Sequence, residues 1–298
     1  MGFSVGKSCE TDSVNKTLVE KLAQAKARGG KVAPGAKPAP AQMRLELWPD
    51  AVRGVPNAVL RGALFGASQV RRTHTKRTLI AATENYEIRF KGETFNQTDL
   101  DALSAMLHLA MPHPLGTRVE FSVNSFLREL GRGTGNTQHE QFKETVVRLI
   151  GGVVEITSLA DQKTFIGALV QSACRDESTG RYVVKFNQDM LTLYQTGYTL
   201  IDAEQRRALG KNSLAKWLHG FYASHAKPFD YKVETLHGLC GSTAGLKGFR
   251  RLLRAALVKL VGVGALVSWD IDTDTDLLTV DRVPSKSQRK HLTRNKKR

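Results

Sequence analysis

VNSFLRELGRGTGNTQHEQFKETVVRLIGGVVEIT, residues 123 to 157, and VETLHGLCGSTAGLKGFRRLLRAALVKLVGVGALVSWDI, residues 233 to 271, carry one order of elements twice. In each, a short helix, Ser125 to Leu130 or Thr235 to Leu239, stops at a glycine, Gly131 or Gly241. Glycine takes a left-handed helix cap without steric penalty. A turn of small polar residues follows, then a longer helix whose apolar stripe opens with phenylalanine. That stripe is Phe142, Val146 and Leu149 in the first copy, and Phe249, Leu253, Ala256, Leu257 and Leu260 in the second. Spacings of three and four set these side chains on one helix face. Gly151 and Gly152, or Gly262 and Gly264, end the longer helix, and a β-branched run starts a strand. Short helix, turn, longer helix and hairpin is the order of a winged helix, in which the longer helix enters the DNA major groove. One such pattern arises easily by chance; two in the same order do so less often. The competing reading is a pair of ordinary α+β subdomains that bind no nucleic acid.

The outward face of the second long helix separates these readings. With Phe249 as the core direction, Lys247, Arg250, Arg251 and Arg254 fall within about 100° to 200° of it around the helix axis. A solvated helix face usually interleaves charge signs, and this one carries no carboxylate. Arginine suits bidentate contact with guanine and phosphate. In the first copy Lys143 and Arg148 share the outward arc with Glu140 and Glu144, beside Gln141, which makes it the weaker base reader.

Composition agrees with a polyanionic partner. The chain has 298 residues, a formal net charge of +16 and a pI near 9.9. Part of that excess lies in the end SKSQRKHLTRNKKR, residues 285–298, which holds no acid and reads as a basic tail that touches phosphate without reading sequence. A solubilising tail is an equal reading of that segment alone. Arg71, Arg72, His74, Lys76 and Arg77 form a further basic cluster suited to a DNA backbone.

The fold class expected is α+β: a flexible N-terminal arm over 1–41, a first winged-helix domain over 42–187, a second over 188–284, and the basic tail. The length and a 41% apolar share suffice for two cores. The run APGAKPAPA has linker composition. Residues 50–68 read as helical after Pro56, 78–95 as a hairpin turned at Glu84-Asn85, and Thr98 or Asp99 as the cap of a helix through Met111. Strands are expected near 153–158, 164–172 and 181–186, helices from Asp202 and Ser213, and strand pieces at Lys232-Val233 and Thr279-Val280.

Over residues 42 to 282 the chain resembles the TrfA-type replication initiators of broad-host-range bacterial plasmids. The stretches that carry the resemblance are WPDAVRGVPNAVLRGALF, FNQDMLTLYQTGYTLID, SLAKWLHGFYASHAKPF and LHGLCGS, each weak alone and specific in their order. The resemblance implies two winged-helix domains, sequence-specific binding to direct repeats (iterons) at a plasmid origin, local duplex melting and a part in plasmid copy control. It also implies recruitment of the host initiator, replicative helicase and polymerase sliding clamp, and it admits a monomer/dimer equilibrium. The extended N-terminal region of the best-known member has no match here.

Gln42-Met43-Arg44-Leu45-Glu46-Leu47 resembles the hexapeptide by which bacterial proteins dock on the sliding clamp, with Gln42, Leu45 and Leu47 as anchors. The alternative is that Leu45, Leu47 and Trp48 pack onto the first domain.

Catalytic chemistry finds little footing, and no enzyme, cofactor or metal is expected. There is no G-x-x-x-x-G-K-[ST] loop, and the glycine-rich Gly131 to Gly135 follows a short helix, not a buried strand. His113 lacks the second histidine of a nicking-enzyme metal site, and Tyr194, Tyr198 and Tyr222 read as core or interface aromatics. Asp270, Asp272, Asp274 and Asp276 read as a tight turn. Cys9, Cys174 and Cys240 are odd in number and far apart, which points to a reducing cytoplasm without disulfides. No signal peptide or membrane span is expected. Two function classes stay open, an origin-binding initiator and a winged-helix transcriptional repressor, with a nicking enzyme as a third to test.

Overall fold

A computed structural model describes residues 47–112, 118–285, 288–289 and 292–293. The arm expected over 1–41, the docking residues Gln42 and Leu45, His113 and most of the basic tail lie outside the described residues.

The chain enters through β1 (Val52–Pro56), and after Pro56, where a helix was expected to run towards residue 68, only the four-residue α1 (Asn57–Leu60) is helical. The strand forms because it has a distant partner, β11 (Tyr198–Asp202), with Val52 opposite Asp202 and Pro56 opposite Tyr198. Next, β2 (Phe65–Gly66) pairs in parallel with β5 (Phe95–Asn96). Between them β3 (Thr73–Ile80) and β4 (Tyr86–Glu93) make the hairpin expected around Glu84-Asn85. α2 (Gln97–Ala110) starts slightly earlier than the reading from Thr98 or Asp99, on Asn96. The Asn96 side chain accepts from the backbone N–H of Thr98 and Asp99, while Asp99 Oδ2 accepts from Asn96 N–H at 2.9 Å. Donors at the helix start are thereby satisfied reciprocally.

The first copy of the repeat is β6 (Arg118–Ser122), α3 (Val123–Glu129), α4 (Asn136–Gly151), β7 (Val153–Ser158) and β8 (Lys163–Gly167). After β9 (Val170–Asp176), β10 (Arg181–Phe186), α5 (Thr192–Gln195), β11, α6 (Ala203–Ala208) and α7 (Ser213–Ala223) comes the second. It runs β12 (Tyr231–Lys232), α8 (Val233–Leu239), α9 (Leu246–Gly262), β13 (Ser268–Ile271) and β14 (Leu277–Asp281). The short helices of both copies close alike: Gly131 and Gly241 stand at φ +68° and +63°. Beyond them Arg132 N–H reaches Leu127 O at 2.8 Å and Ser242 N–H reaches His237 O at 3.3 Å. Each is the bond that a left-handed glycine cap permits. Glycines, Gly135 and Gly245, also precede both longer helices.

The two copies part at their sheets. In the second, β12, β14 and β13 lie side by side in one sheet. In the first, β7 and β8 join the hairpin as β3-β4-β7-β8, and β6 pairs instead in the order β6-β10-β9. Alternation dictates the partners: Ile88 and Phe90 of β4 face Ile156 and Val154 of β7, and Val119 and Phe121 of β6 face Val184 and Tyr182 of β10. These residues are buried, so a slip of one would turn every one of them to solvent. The strands expected near 153–158, 164–172 and 181–186 are therefore divided between two sheets.

Two large apolar cores result. The first takes in Val55, Phe126, Phe142 and Val184 and runs on to Met190, Leu193 and Ile201, past the 187/188 boundary expected from sequence. β11 belongs with it because it pairs with β1. The second core begins at Leu209 and is built on Phe221, Phe249, Leu253 and Leu257. Trp48, Met111, Leu191 and Tyr194 form a smaller cluster beside β1. Among the described residues no helix is long and apolar enough to cross a membrane.

Candidate nucleic-acid interface

α9 displays two opposed stripes. Phe249, Leu253, Ala256 and Leu260, at spacings of four, three and four, are fully buried. Lys247, Arg251, Arg254 and Val258 repeat the same spacings half a turn away and are exposed. Lys247, Arg251 and Arg254 make no salt bridge among the described residues, so three cations face solvent from one side of a helix whose other side is held rigidly by the core.

Arg250, expected on that face, is engaged elsewhere. Its Nη2 and Nε donate to Asp276 Oδ2 and Oδ1 at 2.7 and 3.1 Å, a two-bond clamp from α9 to the β13–β14 turn. Asp276 is held below the usual carboxylate range by those bonds first, with the charges of Arg250, Arg254 and Lys232 adding to them. It stands at φ +56°, a left-handed position that aspartate tolerates better than most residues. Arg250 thus positions the hairpin against the helix. The expected TDTD turn is present: Asp272 Oδ1 accepts from Asp274 N–H at 2.9 Å and Thr275 N–H at 2.7 Å. Among the described residues no group of His, Cys, Asp and Glu is placed to hold a metal ion.

In the first copy, α4 buries Phe142, Thr145, Val146 and Leu149, and its opposite stripe is Glu140, Glu144 and Val147. Gln141 and Lys143 are exposed on the flanks of that acidic stripe. Two residues expected at the DNA surface turn inward and leave the set. Arg148 Nη2 donates to Asp99 Oδ1 at 3.1 Å and Thr145 Oγ1 at 3.2 Å, and Arg71 Nη1 donates to Asp99 Oδ2 at 2.6 Å. Asp99 is fully buried, and a buried carboxylate draws cations in because its own desolvation is otherwise uncompensated. Sequence spacing alone cannot register this, since the three partners come from 71, 99 and 148. Arg72, just before β3, and Lys76, within it, remain exposed.

A second ionic junction joins the two cores. Asp101 on α2 accepts from Arg206 Nε of α6 at 2.5 Å and from Lys216 Nζ of α7 at 2.6 Å. Burial alone would push its carboxyl up, but Arg206 and Lys216 together hold it below the usual range. Arg206 also donates to Gln97 Oε1 at 2.8 Å and to Lys216 O at 3.0 Å, so its guanidinium spans both lobes. Nearby, Arg53 of β1 bonds Glu129 at the end of α3 at 2.6 Å. Nothing in the local sequence marked Arg53, Asp101 or Arg206 as partners.

At the N-terminal edge, Leu47 is 72% exposed, whereas the adjacent Trp48 is buried against Tyr194 and Tyr198. Its ring fills the space where a side chain on Gly54 would sit, which restricts that position to glycine. Tyr194, read as a core aromatic, is buried and donates its hydroxyl to Gly54 O at 3.1 Å. Cys174 and Cys240 are free thiols.

Among known proteins, the plasmid replication initiator protein TrfA of Escherichia coli is 23% identical over 231 residues, 73% of this chain. The chain spans 59% of the length of that relative. Domains 2 and 3 of RctB superpose with a TM-score of 0.53 at 10% identity, covering 78% of this chain and 98% of that one. A second structure of those domains gives 0.51 over 69% and 84%. The mixed helix-and-strand architecture is therefore shared with those two domains. The Pi initiator protein in complex with iteron DNA gives 0.46 at 11% identity over 64% of this chain and 94% of that one, a likeness below the level that fixes a fold. The family model described as TrfA protein matches residues 36–279, and the chain belongs to that family.

Proposed function

We propose that this protein initiates plasmid replication by binding directly repeated duplex DNA at an origin through two tandem winged helices, promoting opening of the neighbouring duplex and recruiting host replication proteins. The observation that carries the reading is the cationic stripe Lys247, Arg251 and Arg254 on α9, set against a fully buried stripe in a chain of the TrfA family. A helix anchored in this way presents its charges without reorganising, as major-groove recognition requires. The repeated strand, helix, helix and hairpin order supports a winged helix in each lobe, with α4 as the less basic counterpart of α9. Gln141, Lys143, Arg72 and Lys76 complete the proposed contact set. Melting and recruitment are steps of binding and assembly, with no catalytic residue assigned.

Replacing Arg251 or Arg254 with alanine is expected to weaken binding to a repeat-bearing origin duplex by about 1 to 3 kcal/mol wherever the arginine bonds a base edge through two nitrogens, and to weaken binding to random duplex much less. Titration of both duplexes at fixed salt checks this. Equal losses on the two would leave only phosphate binding and remove the sequence-specific reading. Because both lobes lie in one chain, a monomer should cover two adjacent major grooves about 10 bp apart. Complexes containing only dimers on a palindromic operator would favour a transcriptional repressor.

The reading includes clamp docking by residues 42–47. Leu47 projects into solvent beside a buried Trp48, the geometry an anchor residue requires before it is captured. Leu47→Ala is expected to leave the melting temperature and DNA affinity unchanged and to lose about 1.5 to 3 kcal/mol of sliding-clamp affinity if the side chain is fully buried there. A lowered melting temperature with intact clamp capture would return Leu47 to the fold.

A further inference from the structure

The geometry points to Val258 as a thymine-reading residue, its methyl groups seated against the C5 methyl of one base in the major groove. The inference rests on the DNA-binding reading and adds a specificity contact to it. Val258 continues the stripe of Lys247, Arg251 and Arg254 at the same four-three-four spacing and is 61% exposed, so it contributes little to the core beneath. A β-branched residue on an exposed helix face has restricted side-chain freedom and lower helix propensity than alanine, and among the described residues Val258 belongs to no apolar core that would offset that. Three residues before it, Ala255 is also exposed and small, leaving a shallow apolar surface between Arg251 and Val258.

The charge around that surface identifies what covers it. A protein partner that buried Val258 would also have to desolvate Arg251 and Arg254, for which this face supplies no carboxylate. The major groove of duplex DNA satisfies both demands at once, because guanine edges and phosphates accept from arginine while thymine alone presents an apolar group in that groove. Other exposed apolar residues of α9 are less suited. Leu252, 46% exposed, lies about 100° around the axis from Arg251 and flanks the stripe, while Val261, in the last turn, is less exposed at 37%.

Uracil tests this, since it differs from thymine only by the missing methyl. The probe is a duplex enriched by the protein itself from a random-sequence pool, together with versions carrying uracil in place of each thymine in turn. Wild-type protein is expected to lose about fourfold in affinity at one thymine position, the effect of about one buried methyl group. Val258→Ala, which favours the helix, is expected to bind the thymine and uracil duplexes equally, and Leu252→Ala to keep the thymine preference. An unchanged wild-type affinity at every uracil position, or a preference that survives Val258→Ala or vanishes in Leu252→Ala, overturns the assignment to Val258. A pool that yields no enriched sequence defeats the DNA-reading function itself, a result distinct from either.

Discussion

Asp99→Ala is expected to destabilise the fold by about 3 to 5 kcal/mol at neutral pH, the usual consequence of removing one member of a buried ionic cluster. Four groups lose their acceptor together: Arg71, Arg148, the Thr145 hydroxyl and the Asn96 backbone N–H. Arg148 is the worst placed, because its side chain is only 11% exposed and its Nε has no partner among the described residues, so water has little access to replace what the carboxylate supplied. The helix cap at Asn96 weakens as well, adding about 1 kcal/mol. Asp99→Asn keeps an acceptor and should recover part of the loss. Denaturant unfolding followed by circular dichroism reads these differences, and a loss below about 1 kcal/mol for the alanine variant would show that the cluster relaxes around the vacancy.

Acid is expected to weaken the second core well before its carboxylates titrate. His219 and His225 are both buried, and burial lowers them first, to about 3 and about 4, with nearby Arg206, Arg61 and Arg282 acting in the same direction. His225 is held neutral, donating Nδ1–H to Phe221 O at 2.7 Å, and His219 Nε2 lies 3.1 Å from Gln205 Oε1. A lowered folded pKa means that the unfolded chain takes up protons first. The stabilising contribution is complete above about pH 6.5 and falls as the pH drops, ending near 4 for His225 and near 3 for His219. At pH 5 the loss is about 2 kcal/mol for each histidine. Unfolding midpoints at pH 7.5 and pH 5 should therefore differ by an amount that His219→Gln and His225→Asn each reduce by about half. A stability that is flat over that interval would mean that the histidines titrate normally in the fold.

The helix-to-helix repeat was legible in the sequence because its signals are local. Gly131 and Gly241 end their helices at the positions expected, the stripes from Phe142 and Phe249 are buried as spaced, and Asp202 caps a helix by accepting from Gln205 N–H. The hairpin at Glu84-Asn85 and the TDTD turn followed from turn chemistry within a few residues. Family resemblance to the TrfA initiators was carried by ordered short stretches, and the family match spans the same region.

The candidate site was legible only where a side chain has no distant partner. Lys247, Arg251 and Arg254 point outward by helix periodicity, and nothing from elsewhere in the chain intercepts them with an ion pair among the described residues. Arg250 sits one residue from Arg251 with the same chemistry, yet Asp276, 26 positions away, captures it. Arg71 and Arg148 are lost to the surface in the same way, drawn to a carboxylate that the capping box of α2 had already pulled into the core.

By itself the sequence determined the repeat, its glycine caps, the buried stripes and the cationic face of α9, because periodicity and glycine stereochemistry act over a few residues. Only the tertiary structure decided that residues 52–56 form a strand, that β7 and β8 join β3 and β4 while β6 joins β9 and β10, and that Asp101 ties the two cores together. Strand partners and buried ion pairs are chosen by whatever the folded chain brings into contact, and the free energy that selects them is that of desolvating and repacking groups from distant segments at once.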